Sequence, residues 1–324
     1  HVHLEGTIEP DFLFECAKRN GIDLPYKTSE DVLNAYDFHD LPSFLAIYYK
    51  GMEVLRKEQD FYDMAMRYFT IAAEQNIVYV EPFFDPQAHT SRGVAFETVI
   101  TGIHKAQADA EKTLGVHSNL IMCFLRDMSA ESAQEHLEMV VPFLDWIVGV
   151  GLDSDEKDNP PSKFKDVFRK ARAMGLKLTM HCDVNQESIV EHMWECLDLI
   201  QVDRIDHGVN ALDDPKLVAA IRERKLGLTI CPISNRFVVQ NLTGDEIRKL
   251  MKEGVLATIN SDDPAYFRGY MNENLQALCD DGQYSQEEVA QLTRNAFAVS
   301  WATPELKSTL EGKLEAYLKE AITA

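Results

Sequence analysis

Short apolar runs rich in β-branched and aromatic residues recur along the chain and alternate with longer segments of helical periodicity. Seven such runs span residues 76–84, 118–127, 146–154, 176–183, 203–208, 226–235 and 254–263. They are apolar almost throughout rather than at every second position, which predicts strands buried on both faces. Strands that alternate with helices predict parallel βαβ units.

An eighth strand is predicted at the start of the chain, at or just upstream of His1, because a functional-looking motif begins there. That position indicates that upstream residues are missing. No linker or low-complexity stretch divides the chain, so we expect one α/β domain over residues 1–324, a (β/α)8 barrel. A doubly wound open sheet is the alternative, but no glycine-rich phosphate loop follows any of the predicted strands.

The segment from about 9 to 70 is almost wholly helical, with apolar positions at helical spacing. It is too long for a single connecting helix. We therefore expect a helical insertion after the first strand, lying over the barrel mouth as a lid. The tail from residue 303 onward predicts a closing helix.

The composition of the chain limits the kinds of molecule that it can bind. The chain carries a net charge of −21, which repels nucleic-acid polymers and anionic membranes and favours a small neutral or cationic ligand. No apolar run reaches the roughly 18 residues that span a bilayer. The six cysteines are scattered without a paired motif, which favours free thiols and a cytoplasmic protein. A homo-oligomer is compatible with the sequence.

Polar residues accumulate at the carboxyl end of nearly every predicted strand. They are Glu81, Asp85, Arg126, Asp153, Ser154, His181, Asp183, Asp206, His207, Ser234, Asn235, Asp262 and Asp263. In a barrel these ends converge on one mouth, where active sites lie. Helix capping explains a single Asp, Ser or Asn at such a place, but it does not favour histidine.

Four of these strand-end residues predict a metal site. His1 and His3 are two positions apart on the expected first strand and so point the same way, and His181 and Asp262 end two other strands. Three imidazoles and a carboxylate suit Zn²⁺ with one position left for water. Cys182 alternates with His181 along its strand, so we expect it to pack between sheet and helices.

His207 has no adjacent partner that would make it a ligand, so we expect it to orient or deprotonate a metal-bound water. Asp263 follows the predicted ligand Asp262 and must point elsewhere, where it can meet the substrate. A side-chain nucleophile has little support, because Ser234 lies in no nucleophile elbow.

The motifs "HVHLEG", "GVGLDS", "MHCD", "RIDHG", "CPISN" and "NSDDP" resemble, in order and spacing, those of the adenosine/adenine deaminases of the amidohydrolase superfamily. The stretches "EPFFDPQAHT" and "NSDDPAYF" are most similar to the adenine deaminase branch. The resemblance implies a zinc enzyme that hydrolyses the 6-amino group of a purine.

The resemblance also implies roles for individual residues. His1, His3, His181 and Asp262 would hold one Zn²⁺, and His207 would assist the hydroxide. Asp263 would contact the purine N7, backbone near Ser154 would contact the ring, and Glu5 would stand beside the site.

One motif departs from the family, which has a glutamate three residues after the strand-end histidine, where this chain has Val184. Three explanations are open: Asp183 takes the role of the acid, Glu187 takes it, or the substrate is changed to an N6-substituted adenine or another aminopurine. We favour Asp183. Other hypotheses are deamination of adenosine, a non-catalytic purine-binding relative, and an amidohydrolase that cleaves an amide or ester.

Overall fold

The computed structural model describes residues 1–323, and Ala324 lies outside the described residues. Within them the strands are Tyr79–Val80 (β1), Phe83–Phe84 (β2), His117–Ser118 (β3), Leu120–Leu125 (β4), Ile147–Asp153 (β5), Lys177–Cys182 (β6), Arg204–His207 (β7), Gly227–Ile230 (β8) and Leu256–Ile259 (β9). Strand β2 and strands β4 to β9 form one parallel sheet in that order, and β1 pairs separately with β3.

Residues 1–4 close this sheet into a barrel, because they bond to both of its edges. Val2 is bridged in parallel to Asp262, and His3 is bridged in parallel to Phe83. The backbone N–H of His3 donates to Asp262 at 3.0 Å, and that of Leu4 donates to Phe83 at 2.9 Å. The predicted (β/α)8 barrel is confirmed, with residues 1–4 in the place of its eighth strand.

The predicted strand at 76–84 is wrong in one respect, because the structure breaks it at Glu81 and Pro82. Proline has no N–H to donate to a strand ladder, so a continuous pairing stops there. The first part pairs with β3 outside the main sheet, and only Phe83 and Phe84 enter the barrel.

Helices surround the sheet. They are Pro10–Asn20 (α1), Ser29–Asn34 (α2), Leu41–Gly51 (α3), Glu58–Glu74 (α4), Pro86–Thr90 (α5), Phe96–Leu114 (α6), Ala130–Met139 (α7), Lys165–Ala173 (α8), Ile189–Trp194 (α9), Pro215–Glu223 (α10), Pro232–Val239 (α11), Gly244–Lys252 (α12), Pro264–Phe267 (α13), Met271–Asp280 (α14), Gln286–Val299 (α15) and Pro304–Thr323 (α16). None of the helices in residues 1–323 has the length and apolar character needed to cross a membrane.

The helical region at 9–70 has two roles. Helix α3 lies over the cavity at the barrel mouth, as a lid does. Helix α4 instead packs along α6 in the outer ring, where Gly102 lets the backbones approach: a Cβ at Gly102 would lie 2.4 Å from the carbonyl oxygen of Glu58. The part that covers the mouth is thus shorter than the sequence suggests, because helical periodicity does not show which surface a helix covers.

Candidate functional site

The four residues predicted to bind metal meet at the carboxyl end of the barrel. His1 and His3 stand on the closing segment, His181 on β6, and Asp262 just after β9. One ligand atom from each of the four lies within 4.8 Å of the others. The Nε2 atoms of His1 and His3 are 3.1 Å and 3.3 Å from Oδ1 of Asp262.

The chemistry of these donors fits a divalent cation. Nε2 of His3 lies 3.1 Å from Nε2 of His181, while their Nδ1 atoms face Oδ2 of Asp153 at 3.5 Å and Oδ2 of Asp206 at 3.3 Å. A carboxylate at Nδ1 favours the tautomer with its proton there, which leaves two bare Nε2 lone pairs directed at each other. Tetrahedral Zn²⁺ with bonds of about 2.0–2.1 Å separates its nitrogen ligands by about 3.3 Å, close to this spacing.

Asp206 anchors the ring of His181 from behind. Its carboxylate also accepts from the hydroxyls of Thr179 at 2.8 Å and Thr229 at 2.9 Å. Burial raises the pKa of Asp206, but the contact with His181 and the charge of Arg204 outweigh burial and hold that pKa below its ordinary value. Asp206 therefore stays ionised and fixes the orientation of the imidazole.

His207 stands beside the four donors and pairs with Asp183. Its Nε2 is 3.0 Å from Oδ1 of Asp183 and 3.8 Å from Oδ2 of Asp262. Burial lowers the pKa of His207, but the negative charges of Asp183 and Asp262 outweigh burial and raise it to about 9. The paired imidazolium in turn holds the pKa of Asp183 below its ordinary value, against the effect of burial.

The structure distinguishes the two candidate acids of the altered motif. Asp183 and Val184 both line the cavity, whereas Glu187 is exposed and does not line it. The backbone N–H of Asp183 donates to Oε2 of Glu156 at 2.9 Å. The other oxygen of this fully buried carboxylate lies 2.7 Å from Nδ1 of His192, so Glu156 holds the altered loop in place.

Three buried carboxyl groups, Asp85, Asp153 and Asp263, line the cavity next to these donors, and ligand atoms of Asp85 and Asp153 lie within 4.8 Å of a ring nitrogen of His3. Burial raises the pKa of Asp85 and of Asp263 well above the ordinary value, and the negative charge of Asp153 adds to both effects. Burial raises the pKa of Asp153 to about 6, against the opposing effect of His3. Oδ1 of Asp85 and Oδ1 of Asp263 have no hydrogen-bond partner among the described residues. Buried polar atoms without partners are rare in folded proteins, so these oxygens are candidates for ligand contacts.

Three non-glycine residues at strand ends have left-handed backbone. They are Ser154 with φ of 78°, His207 with φ of 62° and Asp262 with φ of 59°. This conformation costs on the order of 1 kcal/mol or more for such residues and persists where the surroundings impose it. Its occurrence at the ends of the three alternate strands β5, β7 and β9 favours a functional origin.

A family model described as adenosine deaminase matches residues 1–317. The chain belongs to the adenosine deaminase family. Adenine deaminase of Acinetobacter baylyi is 49% identical over 309 residues, covering 95% of this chain and 92% of that protein. Adenine deaminase of Paraburkholderia phytofirmans is 47% identical over 323 residues, covering 98% and 91%. The crystal structure of adenine deaminase from Arthrobacter aurescens has a TM-score of 0.95 and 40% identity, with 98% of each chain covered.

Two residues predicted to stand at or beside the substrate, Ser154 and Glu5, lie at different places relative to the cavity. Ser154 lines the cavity, and its Oγ accepts from the hydroxyl of Tyr49 on α3 at 2.6 Å. Glu5 is fully buried and does not line the cavity. Its Oε1 accepts the backbone N–H of Asp85 at 2.9 Å and lies 2.8 Å from Nε2 of His89. Glu5 therefore holds the backbone of Asp85 in place without lining the cavity itself.

Cys182 packs away from the metal donors, as strand alternation predicts. Its buried sulfur lies 3.8 Å from that of Cys196, in the π-helical segment Glu195–Ile200 outside the sheet. Sequence reasoning missed the residues of α3 that line the cavity, which include Phe44, Tyr48 and Tyr49. No motif marks them, because an amphipathic helix looks the same whether it covers a site or a core.

Proposed function

We propose that this chain is a zinc-dependent adenine deaminase that hydrolyses adenine to hypoxanthine and ammonia. The observation that carries the proposal is one cavity lined by His3, His181 and Asp262, by the His207–Asp183 pair and by Asp263. Adenine deaminases at 44–49% identity over most of the chain support the same activity.

The metal would be one Zn²⁺ per chain, held by His1, His3, His181 and Asp262. A bound Zn²⁺ supplies Lewis acidity and lowers the pKa of a water to about 7. Asp206 and Thr229 support the cation indirectly by orienting His181 and His1, whose Nδ1 lies 2.9 Å from the Thr229 hydroxyl.

The side chains divide the proton transfers between them. Water adds its oxygen at C6, the amino group leaves as ammonia after gaining a proton, and hypoxanthine keeps the remaining proton on its ring. His207 would orient the attacking water with Nε2. Asp183, which is ionised in the pair, would pass the proton held at Nε2 of His207 to ring N1. The vacated Nε2 would then take one proton of the attacking water, and the other proton would pass to the leaving amino group.

The purine ring would be placed by Asp263, by the backbone beside Ser154 and by α3. Asp263 would donate to the purine N7 from its protonated carboxyl group, which agrees with the raised pKa of Asp263. The backbone beside Ser154 would contact the ring, since Ser154 lines the cavity. Leu41, Phe44 and Leu45 of α3 add apolar surface over the site, which suits a flat heterocycle.

The charge of the lining favours a base over a nucleotide. The lining residues include five aspartates and no lysine or arginine. A phosphate group would therefore meet five carboxyl groups with no lysine or arginine to pair with, and the repulsion costs more in a desolvated cavity. The six free cysteines add support for a reducing compartment such as the cytoplasm.

An ultraviolet deamination screen tests the proposal. The purified metal-loaded protein is assayed on adenine, adenosine, AMP, N6-methyladenine and other aminopurines, with ammonia measured in parallel. We expect adenine to have the highest kcat/KM. Preference for N6-methyladenine would assign the altered motif to a changed substrate, and binding of adenine without ammonia release would indicate a non-catalytic relative. Turnover only of amides or esters would overturn the proposal.

A further inference from the structure

Asp85 is a polar residue of the cavity wall that the proposed mechanism leaves without a partner. Its side chain is 1% exposed, and its Oδ1 has no hydrogen-bond partner among residues 1–323. It lies beside Asp153 and within the electrostatic reach of Asp263. Either protonation state of the carboxyl group leaves an oxygen lone pair free to accept a hydrogen bond.

The local backbone does not use this side chain. Asp85 directly precedes Pro86 at the start of α5, a position where aspartate commonly caps a helix, yet its carboxylate accepts no N–H of α5. The buried Glu5 instead holds the backbone N–H of Asp85 at 2.9 Å. Asp85 is therefore fixed from behind, while its own oxygen faces the cavity.

The proposed orientation of the purine leaves one edge unassigned. With N7 at Asp263 and the backbone beside Ser154 against the ring, N9, the other nitrogen of the five-membered ring, has no acceptor assigned to its N–H. Asp85 is the carboxylate left to accept it: it lies within 4.8 Å of ligand atoms of His3 and of Asp153, the neighbour of Ser154, and it interacts electrostatically with Asp263.

We propose that Asp85 accepts the N9–H of the bound base and so makes the enzyme selective for a free purine base over an N9-substituted one; the proposal rests on the proposed function. An N9-substituted purine has no hydrogen at N9 and places extra carbon atoms against the Asp85 carboxyl group. A site built to bond a substrate N–H rejects an analogue without it by up to about 10⁴-fold. We expect the wild type to favour adenine over 9-methyladenine by about 10³-fold or more in kcat/KM.

The test compares adenine with 9-methyladenine in wild type, Asp85→Ala, Asp85→Asn and Asp263→Ala. We expect Asp85→Ala to lower kcat/KM for adenine about 10²-fold and to leave or raise that for 9-methyladenine, so that the ratio collapses. Asp85→Asn keeps a carbonyl oxygen and should recover part of the adenine rate. Asp263→Ala should lower both substrates together, since N7 is present in both.

A second measurement does not depend on turnover. Calorimetric binding of hypoxanthine and 9-methylhypoxanthine should show the same loss of discrimination in Asp85→Ala, with metal content and melting temperature as folding controls. If Asp85→Ala does not fold, the ratio in Asp85→Asn decides. An unchanged preference in the folded variants would overturn the role of Asp85. If the wild type deaminates no aminopurine, the proposed function fails, and the binding comparison still decides whether Asp85 reads N9–H.

Discussion

Oδ1 of Asp183 lies 3.0 Å from Nε2 of His207, so two residues of neighbouring strands share one contact beside the candidate metal centre. The parallel register that pairs Cys182 with His207 creates this proximity, since it brings Asp183 to the same level. Each partner stabilises the charged form of the other, so the pair holds one proton at Nε2 of His207 beside the candidate metal centre.

Replacement of His207 by alanine should lower kcat by about 10²–10⁴-fold, the range typical of a lost acid–base group. Metal content should remain near that of the wild type, because the four predicted donors do not include His207. Steady-state kinetics and elemental analysis check the two parts. Loss of the metal in the variant would show that His207 is a ligand.

The Asp183→Asn variant should be nearly inactive on adenine, because asparagine cannot deliver a proton to N1. Glu187→Gln is the matched control, since Glu187 is exposed and lies outside the cavity lining. The control should keep the wild-type kcat. Full activity in Asp183→Asn, or inactivity in Glu187→Gln, would transfer the acid role to another group.

Asp206→Asn should weaken metal binding by about 10–100-fold, because the amide holds the His181 ring less firmly than the carboxylate does. Competition with a fluorescent chelator measures the change in affinity. The exposed Asp213→Asn serves as the control and should bind metal as the wild type does. Equal affinities in both variants would contradict an anchoring role for Asp206.

Tyr49→Phe removes the hydroxyl of α3 that donates to Ser154, the residue directly after β5. We expect KM for adenine to rise several-fold with little change in kcat, because a net hydrogen bond contributes about 1 kcal/mol and the reacting atoms are elsewhere. Tyr317→Phe on the exposed face of α16 is the control. A fall in kcat alone would place Tyr49 in the chemistry instead.

Asp60 should make the helical region sensitive to acid. Its buried carboxylate accepts from the backbone N–H groups of Arg56 and Lys57 and from the side chains of Arg19 and Asn20. These bonds lower the pKa of Asp60 against burial. Since the folded-state pKa is the lower one, this stabilisation is present above the unfolded pKa of about 3.9 and is lost as pH falls through the folded value.

Asp60→Asn should therefore reduce the free energy of unfolding by about 2 kcal/mol at neutral pH, with a difference that shrinks as the pH falls below about 4. Denaturant unfolding of wild type and variant across this pH range provides the measurement. A difference that is independent of pH would show that the charge of Asp60 contributes nothing.

Much of the site follows from sequence because it obeys the geometry of parallel strands. His181, His207 and Asp262 end apolar runs, and a closed barrel brings the ends of its strands to one mouth whatever the loops between them do. The alternation of side chains along a strand likewise separates Cys182 from His181.

The remaining features depend on backbone angles and long-range contacts that no local pattern encodes. The strand-end pattern predicts Asp85 at the barrel mouth, but it does not show that the side chain leaves α5 uncapped and lines the cavity while Glu5 holds the backbone N–H. The support of Asp183 by Glu156 joins residues 27 positions apart through a buried carboxylate. Neither contact produces a periodic or spaced motif.

The pairing of residues 1–4 with Asp262, just after β9, also has a consequence for how the protein folds during its synthesis. His1 and Asp262 are 261 positions apart, yet both are predicted to hold the same cation. A nascent polypeptide still short of residue 262 has only part of the predicted coordinating set, so tight metal binding by that set would have to wait until Asp262 has been synthesised. Metal uptake would then coincide with closure of the barrel.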